Sequence, residues 1–272
     1  MRSLWMAAAL AAGLASATMV RAGDLDLHGG DCHYSTDFDV RVVPAGVGFH
    51  RDHGVPADVF MHNGQLRVDG REVVVSAADA ERLRAYEQQV RDVLPEVAGI
   101  AREGVNIGYA AIRTVLLTFA DNDSERHDMV DRLDRHHRDA LARIDDGLGR
   151  GEWHPHDLDD VVGQGVEDAV SDVVGKVAGA AVTAALSGDQ AKVAALQARA
   201  DSLDQNINKE VNTRAKALDR RADALCPRLD SLAQLQQQFG FRLSDGSRLQ
   251  LMTYGKDNNK KLTTASTGTR AD

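Results

Sequence analysis

The sequence predicts an α+β protein: a small N-terminal antiparallel β meander followed by several long antiparallel amphipathic helices. Three observations predict it. Apolar residues alternate with period two between Cys32 and Ser76. From Ser76 onward the period becomes that of a helix, about 3.6 residues. Aromatic residues make up only 4% of the chain while Ala, Asp, Arg and Leu abound, a mixture that suits long amphipathic helices better than a sandwich.

The first 22 residues read as a secretory signal peptide. Arg2 supplies the positive n-region, Leu4 to Val20 an apolar stretch, and Val20-Arg21-Ala22 the cleavage site, with Ala15-Ser16-Ala17 as an alternative cut. A retained membrane anchor needs roughly 20 apolar residues, and this run is shorter and broken by Gly13 and Ser16. No Cys follows the apolar run closely enough for a lipoprotein. The expected location is therefore the periplasm, with no transmembrane segment in the mature chain. Cleavage removes Arg2 and Arg21 and no acid, so the net charge moves from −9 to −11. Nucleic acid, which demands a cationic surface, is not an expected partner.

Within the β stretch, Phe38 to Val42 alternates, Pro44-Ala45-Gly46 turns, and Val47-Gly48-Phe49 starts a return. Asp58 to Met61 is the next strand, closed by Asn63-Gly64. Gln65 to Val68 then meets Glu72 to Val75 across Asp69-Gly70. Asn-Gly and Asp-Gly are strong hairpin signals because both central residues of a type I′ turn need positive φ. Ser76-Ala77-Ala78-Asp79 caps the first helix, which carries Leu83, Tyr86, Val90 and Leu94 until Pro95 kinks it or begins another. A helix from Glu96 to about Ala120 follows. Asp121-Asn122-Asp123-Ser124 caps the next, with Met129, Leu133, Leu141 and Ile144 on one face and Gly147 at its end.

A linker is expected around Trp153-His154-Pro155-His156. In the Gly/Ala-rich stretch beyond it, Gly175 and Gly179 read as a close contact with another helix of this chain. From Ser187 a last long helix repeats in heptad fashion through Val193, Leu196, Ala200, Leu203 and Ile207. An extra spacing of four at Val211 and Ala215 loosens the coiled-coil winding before Leu218, Leu225 and Leu229. A turn at Asp245-Gly246 follows. The expected organisation is a signal peptide at 1–22, one α+β unit at 23–254 with the meander at 32–76 and the helical array at 77–240, and a disordered polar tail at 255–272.

The two cysteines, Cys32 and Cys226, both fall in the mature chain. In an oxidising compartment they are expected to form a disulfide closing a loop of 194 residues, worth at most about 5 kcal/mol by chain entropy; two buried free thiols are the alternative. His50, His53 and His62 are a conceivable metal set if the strands pair, and His154 and His156 bracket a proline. The adjacent His136 and His137 lack the i, i+4 spacing that would put two imidazoles on one helix face. Asp121, Asp123 and Glu125 start like a calcium loop, but Arg126 stands where the glycine belongs and Arg132 where the glutamate does. No hydrolase, phosphate-loop, dinucleotide or zinc-protease motif occurs, and no catalytic residue, resident metal or cofactor is expected.

The order of these parts resembles the YggN-like family of uncharacterised proteobacterial envelope proteins. The likeness rests on Cys32, Asn63-Gly64-Gln65-Leu66, Asp69-Gly70, Ser76-Ala77-Ala78, Tyr86, Leu94-Pro95 and Cys226. It implies periplasmic residence and an α+β build, and it carries over no catalytic residue. The polar tail and the region around Trp153 depart from it. The favoured function is a structural or interaction protein whose long helices contact an envelope partner or a second copy. The alternative, from a different class, is a small-ligand or metal-binding protein using the groove between the meander and the first helices.

Overall fold

Two turns at positive φ set the register of the sheet. Asn63 (φ 50°) and Gly64 (φ 84°) join β4 (Asp58–His62) to β5 (Gln65–Val68), and Asp69 (φ 47°) and Gly70 (φ 77°) join β5 to β6 (Arg71–Val73). Both dipeptides sit where a type I′ turn needs them. The computed structural model describes residues 34–120, 122–154 and 190–255, together with residues 171, 174, 175, 178, 179, 182, 183 and 186 on helical turns. The expected signal peptide, Cys32, Asp121, His156 and the tail from 256 lie outside the described residues.

With β2 (Asp39–Val43) and β3 (Gly46–His50) the strands β2 to β6 form an antiparallel meander, so the fold is α+β. One face is apolar: Val40, Val47, Phe49, Val59, Met61 and Leu66 are all buried. A separate ribbon pairs β1 (Tyr34–Ser35) with β8 (Thr253–Tyr254), joining the two ends of the described chain.

The structure corrects the linker expected at Trp153. Residues Glu152–Trp153 form β7, a sixth strand against β2, with Trp153 opposite Val40 and an ion pair from Arg41 to Glu152 at 3.0 Å. Trp153 is 2% exposed. A two-residue strand leaves no periodicity to read, and burial of the large indole is what fixes it.

Helix α1 (Ala77–Phe119) runs 43 residues, with Ser76 Oγ accepting from Asp79 N at its N-cap. It passes through Pro95 without ending, so the two helices expected on either side of the proline are one. Proline removes one backbone bond, and burial of Val90, Val93, Leu94, Val97 and Ala98 around it outweighs that loss. After an Asn122 cap, α2 (Asp123–Asp146) returns antiparallel, as the pairs Arg102–Asp145 (2.5 Å) and Arg113–Asp134 (3.0 Å) show.

The last helical run divides into α3 (Gln190–Asn206), a π turn (Ile207–Val211), α4 (Asn212–Asp223) and α5 (Cys226–Gln237). The π turn falls where the heptad stripe carries its extra four-spacing, and it re-phases the apolar face. Pairs Arg214–Glu103 (3.0 Å) and Arg228–Glu96 (2.7 Å) lay this run antiparallel to α1. Leu225 is fully buried and Leu203, Ile207 and Leu218 are half-buried, so much of the stripe is an intramolecular seam. Cys226 opens α5 and is not deep inside a continuous helix.

Beyond α5 the chain is extended, and Phe239, Phe241, Leu243, Leu249 and Leu251 alternate inward around a turn at Gly246 (φ 83°). An aromatic chain ties the layers together. Ring centroids step from Phe38 to Phe49 (6.3 Å), Tyr86 (6.3 Å), Phe239 (5.8 Å) and Phe241 (5.2 Å).

Candidate functional site

Where the β1–β8 ribbon crosses α5, the side chains leave an open groove of about 960 Å³. One wall is the α5 face with Cys226, Asp230, Ala233 and Gln237, preceded by Asp223. The opposite wall is the extended segment from Arg248 to Tyr254. Gln236 on α5 fastens that segment to the helix along one side of the groove. Its Oε1 accepts from the N–H groups of Leu251 (2.6 Å) and Met252 (3.0 Å), and its Nε2 donates to Met252 O (2.9 Å). Thr36 Oγ1 donates to Leu251 O at 2.7 Å from the other side.

At the centre, the Tyr34 hydroxyl donates to Asp230 Oδ1. Burial, and then the Asp230 carboxylate, push the Tyr34 pKa up to about 12, so the hydroxyl stays a donor through the neutral range. Tyr254 meets Tyr34 edge to face at 5.1 Å. Among the described residues neither Asp223 nor Asp230 forms an ion pair. Arg248 donates to Gln237 O at 3.2 Å and supplies a positive charge.

Behind Tyr34 a second, apolar space of about 100 Å³ opens between the meander and α1. Val40, Phe49, Val90, Val93, Leu94, Val97, Leu229, Leu232 and Leu251 line this slot, and Tyr34 and Met252 border both spaces. Trp153 lines it too. Its Nε1–H is buried and has no hydrogen-bond partner among the described residues.

The structure disperses the histidine candidates. His50 Nδ1 lies 2.8 Å from Asp58, His62 Nδ1 lies 3.5 Å from Glu87, and His154 Nδ1 lies 3.1 Å from Asp39. His53 is exposed. The Asp58 hydrogen bond leads in raising the His50 pKa. His137 Nε2–H donates to Asn106 Oδ1 (2.7 Å), and burial lowers the His137 pKa. No group of three or more His, Cys, Asp or Glu that could hold a metal occurs among the described residues. Asp123 and Glu125 stand in the first turn of α2, and Asn122 caps it, as expected of acids at a helix start.

Cys226 lines the groove; Cys32 lies outside the described residues. Sequence reasoning placed a ligand space between the meander and the first helices, where the slot is. It missed the groove outside, whose walls come from α5 and a segment some twenty residues later. Only the alternation of Leu249 and Leu251 signalled that the late segment packs at all. Among the described residues no atom lies within 4 Å of where a Cβ would sit on Gly175 or Gly179, where the sequence predicts a close helix contact. No helix among the described residues is long and apolar enough to cross a membrane.

A family model described as "Protein of unknown function (DUF2884)" matches residues 32–252. No curated protein and no solved structure matches.

Proposed function

We propose a role for a chain that belongs to the DUF2884 family of proteins of unknown function: it is an exported envelope protein of YggN-like kind, acting by contact and not by catalysis. The observation that carries this is a set of apolar side chains on late helical turns that stay exposed among the described residues. Val174 is 44% exposed, Val182 57%, Leu186 83% and Val193 50%, and among the described residues nothing lies within 4 Å of a Cβ placed on Gly175 or Gly179. Scattered surface apolars are ordinary, but these four, two of them flanking a pair of glycines, make a helix-docking face. The signal peptide at 1–22 supports periplasmic residence. Tagged protein should fractionate with the periplasm as a chain starting near Gly23. A photo-crosslinker at Val182 should then capture either an envelope protein or a second copy. Full-length protein in the cytoplasm, or no adduct from Val182 when Asp52 and Val182 give equal background, would defeat the reading.

The Cys32–Cys226 disulfide belongs to the same proposal. Tyr34 is bonded to Asp230, so the chain at 34 lies beside α5 one turn from Cys226. Two residues of extended chain reach about 7 Å, a span compatible with a Cys32–Cys226 bond. No described cysteine is a free thiol.

A second reading is favoured by the slot and groove together: a small-ligand binding protein whose site lies between meander, α1 and α5. The buried Trp153 N–H, without a partner among the described residues, is the feature that supports it, because such a group is costly unless something accepts from it.

A further inference from the structure

We propose that slot and groove form one site for a small organic ammonium ion, its apolar body in the slot and its charged head beside Asp230 and Asp223. This rests on the small-ligand reading above and names the ligand class. The slot is lined mainly by apolar side chains, with Ser35, Thr36, Tyr34, Tyr86 and Trp153 the polar-bearing ones, and its volume of about 100 Å³ sets the size of the body. Against the ~150 Å³ that admits benzene, it takes about four to six carbons. Tyr34 and Met252 border both spaces, so a ligand seated in the slot emerges at Tyr34.

The charge at that exit selects the head group. Asp230 accepts one hydrogen bond, from Tyr34, which leaves most of its carboxylate lone pairs for another donor. Asp223 lines the same groove one helix earlier. The groove walls carry these two acids against one base, Arg248, whose guanidinium is engaged with Gln237 O. The Tyr34 and Tyr254 rings add π faces, to which an ammonium is attracted and a carboxylate is not. A carboxylate head would meet two like charges. Along the slot wall, the Trp153 N–H takes an acceptor atom on the body or a water carried in with it.

Trp153 also provides the readout. The chain has two tryptophans, and the other is Trp5. In a Trp5→Phe background, indole emission reports the slot alone. Three probes share a six-carbon body: hexylammonium, hexanol and hexanoate. Hexylammonium should shift Trp153 emission saturably, with hexanoate at least about tenfold weaker, the size of one charge-assisted contact. Asp230→Asn keeps an acceptor for Tyr34, so it should fold with unchanged unliganded emission and weaken hexylammonium about tenfold. If hexanol or hexanoate binds as well as hexylammonium, or if Asp230→Asn changes its affinity less than about twofold, the ammonium assignment is wrong while the ligand site stands. If none of the three moves Trp153 emission, the ligand site fails with it.

Discussion

Asp79 is 4% exposed and ionised, and every bond that makes this tolerable is visible. Gly240 N–H donates to Oδ1 at 2.9 Å, Ser76 Oγ to Oδ2 at 2.8 Å and Arg82 Nη1 to Oδ1 at 2.9 Å. The Gly240 bond is the foremost reason its pKa lies below the ordinary carboxylate value; burial pulls the other way, and Ser76 and Arg82 help Gly240 prevail. One carboxylate thus joins the start of α1 to the chain leaving α5. A Cβ at position 240 would sit 3.2 Å from Asp79 Oδ2, so glycine is what lets the backbone come close. Asp79→Ala leaves the Gly240 N–H unpaired and should destabilise by about 2–3 kcal/mol in urea titrations near neutral pH; Asp79→Asn, still an acceptor, should lose less. Glu87 behaves alike. Burial would raise its pKa, but Arg91, the Asn63 N–H and His62 outweigh that and lower it. For both acids the folded value lies below the unfolded one, so the unfolded chain binds more protons in the window between. Their stabilisation is whole above the ordinary carboxylate range and is lost as pH falls through the lowered folded values. Urea midpoints should therefore drop on acidification below about pH 4, and Asp79→Ala should flatten that drop. A midpoint slope identical in the variant would refute the assignment.

At the scale of elements, the two type I′ turns share a geometry but not a setting, which makes them a controlled pair. Gly70 (φ 77°) faces open space, and a Cβ there would meet nothing within 4 Å. Gly64 (φ 84°) lies against α1, where a Cβ would stand 2.7 Å from the Ala80 carbonyl oxygen. Gly70→Ala should cost about 1 kcal/mol, the left-handed backbone penalty alone. Gly64→Ala adds a clash with helix backbone that cannot step aside, and about 2–4 kcal/mol is expected. Equal melting shifts for the two would remove the claim that the β4–β5 turn is docked on α1. These turns were legible in the sequence because their chemistry is local: Asn-Gly and Asp-Gly specify positive φ before any tertiary contact exists. The Ser76 and Asn122 caps were legible for the same reason. What stayed hidden was set at long range. β7 and the β1–β8 ribbon are two-residue strands whose partners lie over a hundred positions away, so no local period betrays them. Helix α1 continues through Pro95 because packing overrides a local rule. The slot was legible in outline as a space between meander and helices. The groove was not, because Tyr34, Asp230 and Arg248 come together only once β1 and β8 have paired.

At the scale of the whole molecule, the ends of the described chain are fastened to each other and to α5. Tyr34 pairs with Tyr254 in the ribbon, donates to Asp230, and lies near the residue that would bond Cys226. If Cys32 and Cys226 are joined, that bond closes a loop holding β1, the whole meander, α1 to α4 and β7. Loop-closure entropy then sets the ceiling on its contribution, about 5 kcal/mol for a loop of this length. Much of this is not expected to be realised, because the ribbon, the Tyr34–Asp230 bond and the Leu225 and Leu251 core already hold the same two points together in the native state. The bond acts chiefly on the unfolded chain. Two consequences separate it from an ordinary surface disulfide. Reduction should lower stability by a few kcal/mol at most without altering Trp153 emission, since Trp153 lines the slot, paired with Val40 of β2, while Cys226 lines the groove. The denaturant slope m should also rise on reduction, because an unfolded chain freed of its crosslink exposes more surface. Intact mass under thiol-blocking conditions, with and without reductant, tests the bond itself: the oxidised chain should take up no label and the reduced chain two. Two labelled thiols in protein recovered from the periplasm would end the proposal, and an unchanged m after verified reduction would end the account of how the bond stabilises.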